Sequence, residues 1–480
     1  MLKALIIGAD SVTPDILFSK KDLFPTFKEM IDNGVSAAYS AYVQKGFQGS
    51  YSSEQNWASL YTGLEPKEHL INTYSARGQE RRPQMKDFEE LQPFWQVLNK
   101  NGYTVGLWAA DNCVSPVEID GYVVSTKYQM ISTPIEDRKA IRTLEVCEKD
   151  KEFVARIIDS EPVYRLYPKT LKQQGYTFKE LQHDIMLAES VIKKYHFQDA
   201  IENFEQELKY WFSAMKKAQY LNPVDVLFFY TPTTDLIAHC CMYCDDNEIL
   251  LKAYQLLDQY IGDFIKEFNP EISIFMSDHG QQNFKELIQC SNKEIQKEAF
   301  AAKDDVIWLK NGYIAFEAHN GALLFTAHAL KGTFIATGNS IKKNLTLNEM
   351  RTVDFYPTLL EMFRVKLLEK RNGYVLDIFN RDVVNRSILL KEEEVIYDTI
   401  AFLQTNTVSI TDVILNELYI EKRFSKITVV GNERYKEIFL HNPRVSDFVS
   451  YEEYDETKFD EVYCGIYNDT TKEIRHMRVK

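Results

Sequence analysis

Residues 272–280 read Ile272-Ser273-Ile274-Phe275-Met276-Ser277-Asp278-His279-Gly280. A β-branched, apolar run closes in a hydroxyl, a carboxylate, an imidazole and a glycine. With apolar side chains on both faces and a turn residue at its end, the run predicts a buried strand. Asp278 and His279 then stand where the strand stops, the edge at which open α/β sheets collect their ligands. A hard oxygen donor beside an imidazole suits a divalent cation of the zinc type. One such pair arises by chance in any long chain, so its meaning depends on whether other segments repeat the pattern.

Several do. Residues 5–8 predict a short first strand that runs into Asp10, a second carboxylate at a strand terminus, which a helix cap or turn would also explain. Residues 224–230 predict a third buried strand, followed by Asp235 and His239. Asp-x-x-x-His at the start of a helix puts both donors on one face, the i,i+4 geometry that lets two side chains share an ion. Cys240, Cys241 and Cys244 come next, readable as thiolate ligands or as buried small apolar residues. His328 precedes a strand over 333–336; taken singly, it reads as a hydrogen-bonded polar histidine rather than a ligand.

A hydroxyl-rich stretch, Tyr51-Ser52-Ser53-Glu54-Gln55-Asn56-Trp57, leads into a helix that stops at Thr62-Gly63. Plain capping accounts for it. So does a serine nucleophile at a helix N-terminus, where backbone N–H groups and the dipole favour an anion. Arg77, Arg81 and Arg82 sit in a polar loop that reads as a solvated charge run or as phosphate-binding cations. Helices are predicted over 25–33, 93–102 and 250–265. Ile201, Phe204, Leu208, Trp211 and Phe212 recur at helical spacing within an expected helical cap insertion over 134–221.

Composition sets the outer limits. The chain has 480 residues, 45% hydrophobic and 26% charged, ordinary values for a folded protein. Its length predicts one large domain with insertions, or two domains; the composition shifts near residue 382, dividing a catalytic unit (1–382) from a small α/β appendage (383–480). Fifty-six basic against seventy acidic side chains give a net charge of −14, which argues against bulk attraction to nucleic acid. No run of about 18 apolar residues appears, so no membrane span is expected. Seven cysteines at irregular spacing suggest reduced thiols, and with no signal-like N-terminus a cytoplasmic location is expected. The appendage proposes no chemistry of its own; docking to a protein partner or to a second copy is its default reading.

Asp10, Asp235 and Asp278 with His239, His279 and His328 make three carboxylates and three imidazoles, enough for two ions with three protein ligands each. Two divalent cations about 3.5–4 Å apart recur in phosphoryl transfer, where they stabilise the attacking and leaving oxygens. A hydroxyl such as that of Ser53, acidified by a cation, becomes a nucleophile near neutral pH.

The sequence resembles the alkaline phosphatase superfamily, and within it the type I phosphodiesterase/nucleotide pyrophosphatase branch. The resembling pieces are Ile6-Ile7-Gly8-Ala9-Asp10; Ser53 through Thr62-Gly63-Leu64-Glu65-Pro66-Lys67-Glu68-His69; Tyr230 with Asp235 and His239; Ser277-Asp278-His279-Gly280; and His328 with Gly332-Thr333-Phe334-Ile335-Ala336. They occur in the family's order over roughly residues 1–380. The resemblance implies an α/β fold, a doubly wound mixed sheet with helices on both faces. It implies that Asp235, His239 and His328 hold one zinc, and Asp10, Asp278, His279 and the Ser53 oxygen the other, manganese being the other metal open. The implied reaction is hydrolysis of phosphate diesters or pyrophosphates, nucleotides above all, through a phosphoseryl intermediate on Ser53, with Asn72 beside the non-bridging oxygen. A phosphomonoesterase, phosphonate hydrolase or phosphomutase on the same site is the alternative, and a scaffold or binding protein of the same descent the non-enzymatic one. Three departures bear on substrate: serine where the branch usually has threonine, Glu54-Gln55 in place of an apolar residue and proline, and Leu70 in place of the glycine after His69.

Overall fold

The computed structural model describes residues 2–42, 53–72, 75–130, 139–158, 163–165, 197–241, 248–283, 331–367, 371–390, 398–406, 425–440, 444–468 and 473–480, with shorter pieces at 300–329, 369 and 411–422. Among these, a ten-stranded sheet organises the first unit. Its strands in chain order are β1 (Ala4–Ala9), β2 (Gly34–Ser40), β3 (Val105–Trp108), β4 (Gly121–Met130), β5 (Lys139–Val146), β6 (Val163–Arg165), β7 (Val226–Thr231) and β8 (Ile272–Met276). A two-stranded ladder, β9 (Gly280–Asn283) with β10 (Thr326–Ala329), stands apart from it, and β11 (Lys331–Gly338) and β12 (Leu345–Leu347) complete the sheet. The spatial order is β12-β2-β11-β8-β1-β7-β3-β4-β5-β6.

The central strands β8, β1, β7, β3 and β4 run parallel, so their C-terminal ends share one edge. Gly8 pairs with both Met276 and Tyr230, which sets the exits of β1, β8 and β7 side by side. Strand β11 is antiparallel to β8 and to β2; it therefore starts at that edge, just after His328, while β2 ends there.

Burial follows the two-residue period of a strand covered on both faces. Leu5, Ile7 and Ala9 of β1 pack on one side with Phe27, Trp211, Leu257 and Phe275. Ala4 and Ile6 face the other way, toward Trp57, Phe94, Phe228 and Leu359. The first layer comes from α2 (Pro25–Asp32), α6 (Phe197–Leu221) and α8 (Glu248–Phe268); the second from α3 (Ser53–Thr62), α5 (Phe94–Lys100) and α9 (Phe355–Met362). Two short helices, α1 (Pro14–Ser19) and α4 (Pro66–His69), close turns, and α7 (Thr233–Cys241) carries Asp235.

The span 134–221 departs in part from an all-helical insertion. Its long helix is α6, as the apolar spacing predicts, and Phe204, Leu208, Trp211 and Phe212 are buried against the sheet as core. Strands β5 and β6 lie in the same span and extend the sheet antiparallel from β4. Their short runs, such as Arg142-Thr143-Leu144-Glu145, mix polar and apolar residues at a sheet margin and leave little periodic signal.

After residue 397 a second sheet forms from β13 (Asp398–Leu403), β14 (Ser425–Gly431), β15 (Val445–Ser450), β16 (Glu461–Asn468) and β17 (Glu473–Arg478), in the order β15-β14-β13-β16-β17. It is parallel except for β17 and has its own core of Ile400, Phe402, Val429 and Phe448. The two units touch at Arg444, a buried side chain whose Nη2 donates to the Ala41 carbonyl at 2.8 Å. No helix among the described residues is long and apolar enough to cross a membrane.

Candidate active site

The parallel strands deliver carboxylates to their shared edge. Asp10 follows β1, Asp111 lies three residues beyond β3, Asp235 is in the first turn of α7 after β7, and Asp278 and His279 follow β8. Ser277 fastens that last turn. Its hydroxyl lies 2.8 Å from the Val12 carbonyl and accepts from the Thr333 N–H at 2.9 Å, and Tyr39 OH donates to its carbonyl.

Asp10, Asp278 and His279 present donor atoms that all lie within 4.8 Å of one another, and so do Asp235, His279 and His328. His279 thus stands in both groups. Its Nε2 is 3.2 Å from Asp278 Oδ2 and 3.5 Å from Asp10 Oδ1. Its Nδ1 faces the Gly280 carbonyl at 3.1 Å; a carbonyl only accepts, so Nδ1 carries the hydrogen and Nε2 turns its lone pair on the carboxylates. His328 stacks on the His279 ring at 3.9 Å between centroids and brings Nε2 to 3.3 Å from Asp235 Oδ1. His239 lies in α7, but its side chain is outside the described residues, as are those of Cys240, Cys241 and Cys244.

Ser53 opens α3. Its Oγ is 3.3 Å from Asp10 Oδ1 and 3.1 Å from His279 Nε2. One turn on, Trp57 lies against β1 so closely that a Cβ on Gly8 would fall 2.6 Å from the indole. Glycine there lets the helix descend onto the strand and bring Ser53 to Asp10. In the same first turn, Asn56 exchanges hydrogen bonds with Tyr42, accepting its N–H at 2.7 Å and donating to its carbonyl at 3.1 Å.

Electrostatically the site is short of positive charge. Burial, then the charges of Asp278 and Asp235, push the Asp10 carboxyl well above its ordinary range. Burial likewise raises Asp278, whose Oδ2 has no hydrogen-bond donor among the described residues. Buried carboxylates facing one another are costly unless something neutralises them. The donor set, hard oxygens with imidazole nitrogen, fits divalent cations of the zinc or manganese kind.

Other parts of the site carry no spacing signal in the sequence. Tyr230 OH donates to Asp10 Oδ2 at 2.7 Å, and Thr234 Oγ1 to the Asp10 carbonyl at 2.6 Å. Gln281 Nε2 donates to Asp235 Oδ1 at 2.7 Å. Ser11 Oγ sits between Asp235 and His279. Asp111 is raised by burial, then by Glu54 and Asp10, and its Oδ2 is buried without a hydrogen-bond partner among the described residues. A neighbour in the same loop, Asn112, donates to the Glu54 carbonyl at 2.9 Å.

The flanking residues divide. Asn72 lies in a two-residue strand, where its Oδ1 accepts from the Ser75 N–H at 2.9 Å. Arg77 pairs with Glu90 at 2.9 Å and Arg81 with Asp87, the solvated-charge alternative for those two. His69 is entirely buried: Nδ1 accepts from the Ile71 N–H and Nε2 meets Ser59 Oγ, both at 3.0 Å. Leu70 takes the left-handed conformation that caps α4, which accounts for a glycine being usual there.

Residues 4–331 match the family model described as type I phosphodiesterase/nucleotide pyrophosphatase. The chain belongs to that family. Similar solved structures include murine ectonucleotide pyrophosphatase/phosphodiesterase 5 as an inactive variant in complex with AMP, at 16% identity and a TM-score of 0.46, covering 78% of this chain and 97% of that one. Human ectonucleotide pyrophosphatase/phosphodiesterase 5 gives 14% identity and a TM-score of 0.43 over 77% and 97%. Such loose overlaps carry no weight for the chemistry. No curated protein matches the sequence.

Proposed function

We propose that the chain is a two-cation phosphodiesterase or nucleotide pyrophosphatase that works through a phosphoseryl intermediate. The observation that carries this is Ser53 Oγ at a helix N-terminus, within 3.3 Å of Asp10 and 3.1 Å of His279. Asp10, Asp278 and His279 would hold one cation beside Ser53; Asp235 and His328, with His239 on the same helix, would hold the other. Bound there, the ions supply charge that acidifies the Ser53 hydroxyl and offsets the phosphoryl oxygens.

Ser53 Oγ attacks phosphorus in line, its bond to phosphorus forming as the bond to the leaving oxygen breaks; that oxygen departs with a proton. Water then attacks the phosphoserine, the bond from phosphorus to Oγ breaks, and Ser53 recovers its hydrogen. The N-terminal N–H groups of α3 face the anion that develops. Asn72 is the side chain proposed beside the non-bridging oxygen.

Glu54, the residue after Ser53, favours the diester over the monoester. An acid next to the nucleophile repels a monoester dianion more than a diester monoanion. Activity on bis-p-nitrophenyl phosphate against p-nitrophenyl phosphate tests the assignment, the expected result being preference for the diester. Clear preference for the monoester overturns it.

A further inference from the structure

We infer that Ser11 is a positioning residue of the cation centre: its buried hydroxyl ties the Asp235 carboxylate to the His279 imidazole and fixes the spacing of the two donor groups. The inference rests on the two-cation reading above. Ser11 follows Asp10 at the exit of β1 with φ +60, the left-handed region that disfavours any residue bearing a Cβ. Glycine would take the same turn without that penalty. A side chain kept at such a point has to be held by its surroundings, and strain of this kind gathers at functional sites.

The surroundings supply the reason. Ser11 is fully buried. Its Oγ donates to Asp235 Oδ1 at 2.5 Å, meets His279 Nδ1 at 3.0 Å and accepts from Gln281 Nε2 at 3.3 Å. With the Nδ1 hydrogen shared between the Gly280 carbonyl and Ser11 Oγ, the hydroxyl gives one hydrogen bond and receives two. Asp10 Oδ1 lies 3.4 Å from the same oxygen, and the Ser11 N–H points at Asp278 Oδ1 at 3.5 Å. One residue therefore touches Asp10, Asp278 and His279 on one side and Asp235 on the other. Polar groups behind metal ligands orient them, and losing such a group weakens binding about 10–100-fold.

Zinc titration of the full chain after chelator treatment tests this on Ser11→Gly, Ser11→Ala and, as a control for the parent reading, Asp278→Asn. Both variants lose the hydroxyl's hydrogen bonds. Ser11→Gly also relieves the backbone strain, so its metal-free thermal midpoint should lie above that of Ser11→Ala, while the zinc dissociation constants of both weaken about 10–100-fold. Equal losses of affinity at unequal stability are what a merely structural serine would not produce. Unchanged affinity in both Ser11 variants, with Asp278→Asn impaired, overturns this inference alone. Unchanged affinity in all three overturns it together with the cation assignment beneath it.

Discussion

Ser53 Oγ and His279 Nε2 lie 3.1 Å apart although 226 positions separate them in the chain. The approach follows from two local facts: Gly8 lets Trp57 press α3 onto β1, and Ser277 locks the turn that carries His279. A hydroxyl this near the imidazole and Asp10 should be the group that is phosphorylated. Ser53→Ala is expected to lower turnover on the order of 10³-fold or more while keeping bound metal. Steady-state rates with elemental analysis check both halves, and an undiminished rate removes Ser53 from the mechanism.

Metal removal should alter the pH dependence of stability. Asp10 is raised by burial and then by the charges of Asp278 and Asp235, and Asp278 by burial and then by the charge of Asp235, so the folded chain holds protons there that the unfolded chain has released. Stability contributed by such groups falls as pH rises above the ordinary carboxylate range. The chelated protein should therefore lose stability toward neutral pH, and added zinc should restore it. Denaturant titrations at several pH values, with and without chelator, measure this; identical curves would count against cations at these carboxylates.

His69 predicts a separate acid limit. Burial first, and then Arg77, push its pKa down to about 3. The unfolded chain, with an ordinary imidazole, binds the proton far more readily. Stability from His69 is thus fully present above the ordinary histidine range and drains as pH falls toward 3, with a slope of at most about 1.4 kcal/mol per pH unit. Comparing wild type with His69→Gln between pH 7 and pH 4 isolates it: the variant's curve should be flatter by that slope.

Leu70 is exposed by 49% and has φ +55. The left-handed backbone costs a residue with a Cβ about 1–2 kcal/mol, whereas glycine's extra backbone entropy costs roughly 0.5–1 kcal/mol. The first exceeds the second, so Leu70→Gly should stabilise the protein by about 0.5–1 kcal/mol. Chemical denaturation reads it directly, and a loss of stability would mean that the leucine side chain packs more than its exposure suggests.

The frame of this site is legible in the sequence because strand ends announce themselves. Apolar β-branched runs that stop at a carboxylate mark Asp10 and Asp278-His279, and the parallel sheet does the rest by bringing the stops to one edge. Ser11 and Gln281 are not legible, and Tyr230 only through the family resemblance, since a serine after an aspartate or a tyrosine inside a buried strand has no spacing to betray it. Their roles arise only when residues more than two hundred positions apart converge, as Tyr230 does on Asp10. The appendage illustrates the same limit: β14 and β16 carry readable apolar runs, while β15, with Ser446 and Asp447 at its exposed margin, needs its neighbours to become a strand.

The bond from Arg444 to the Ala41 carbonyl makes the C-terminal unit more than a passenger. Ala41 precedes Tyr42, which is clasped to Asn56 of α3, the helix that opens with Ser53. Truncating the protein before Arg444 would strand a buried acceptor, at a cost of about 1–3 kcal/mol.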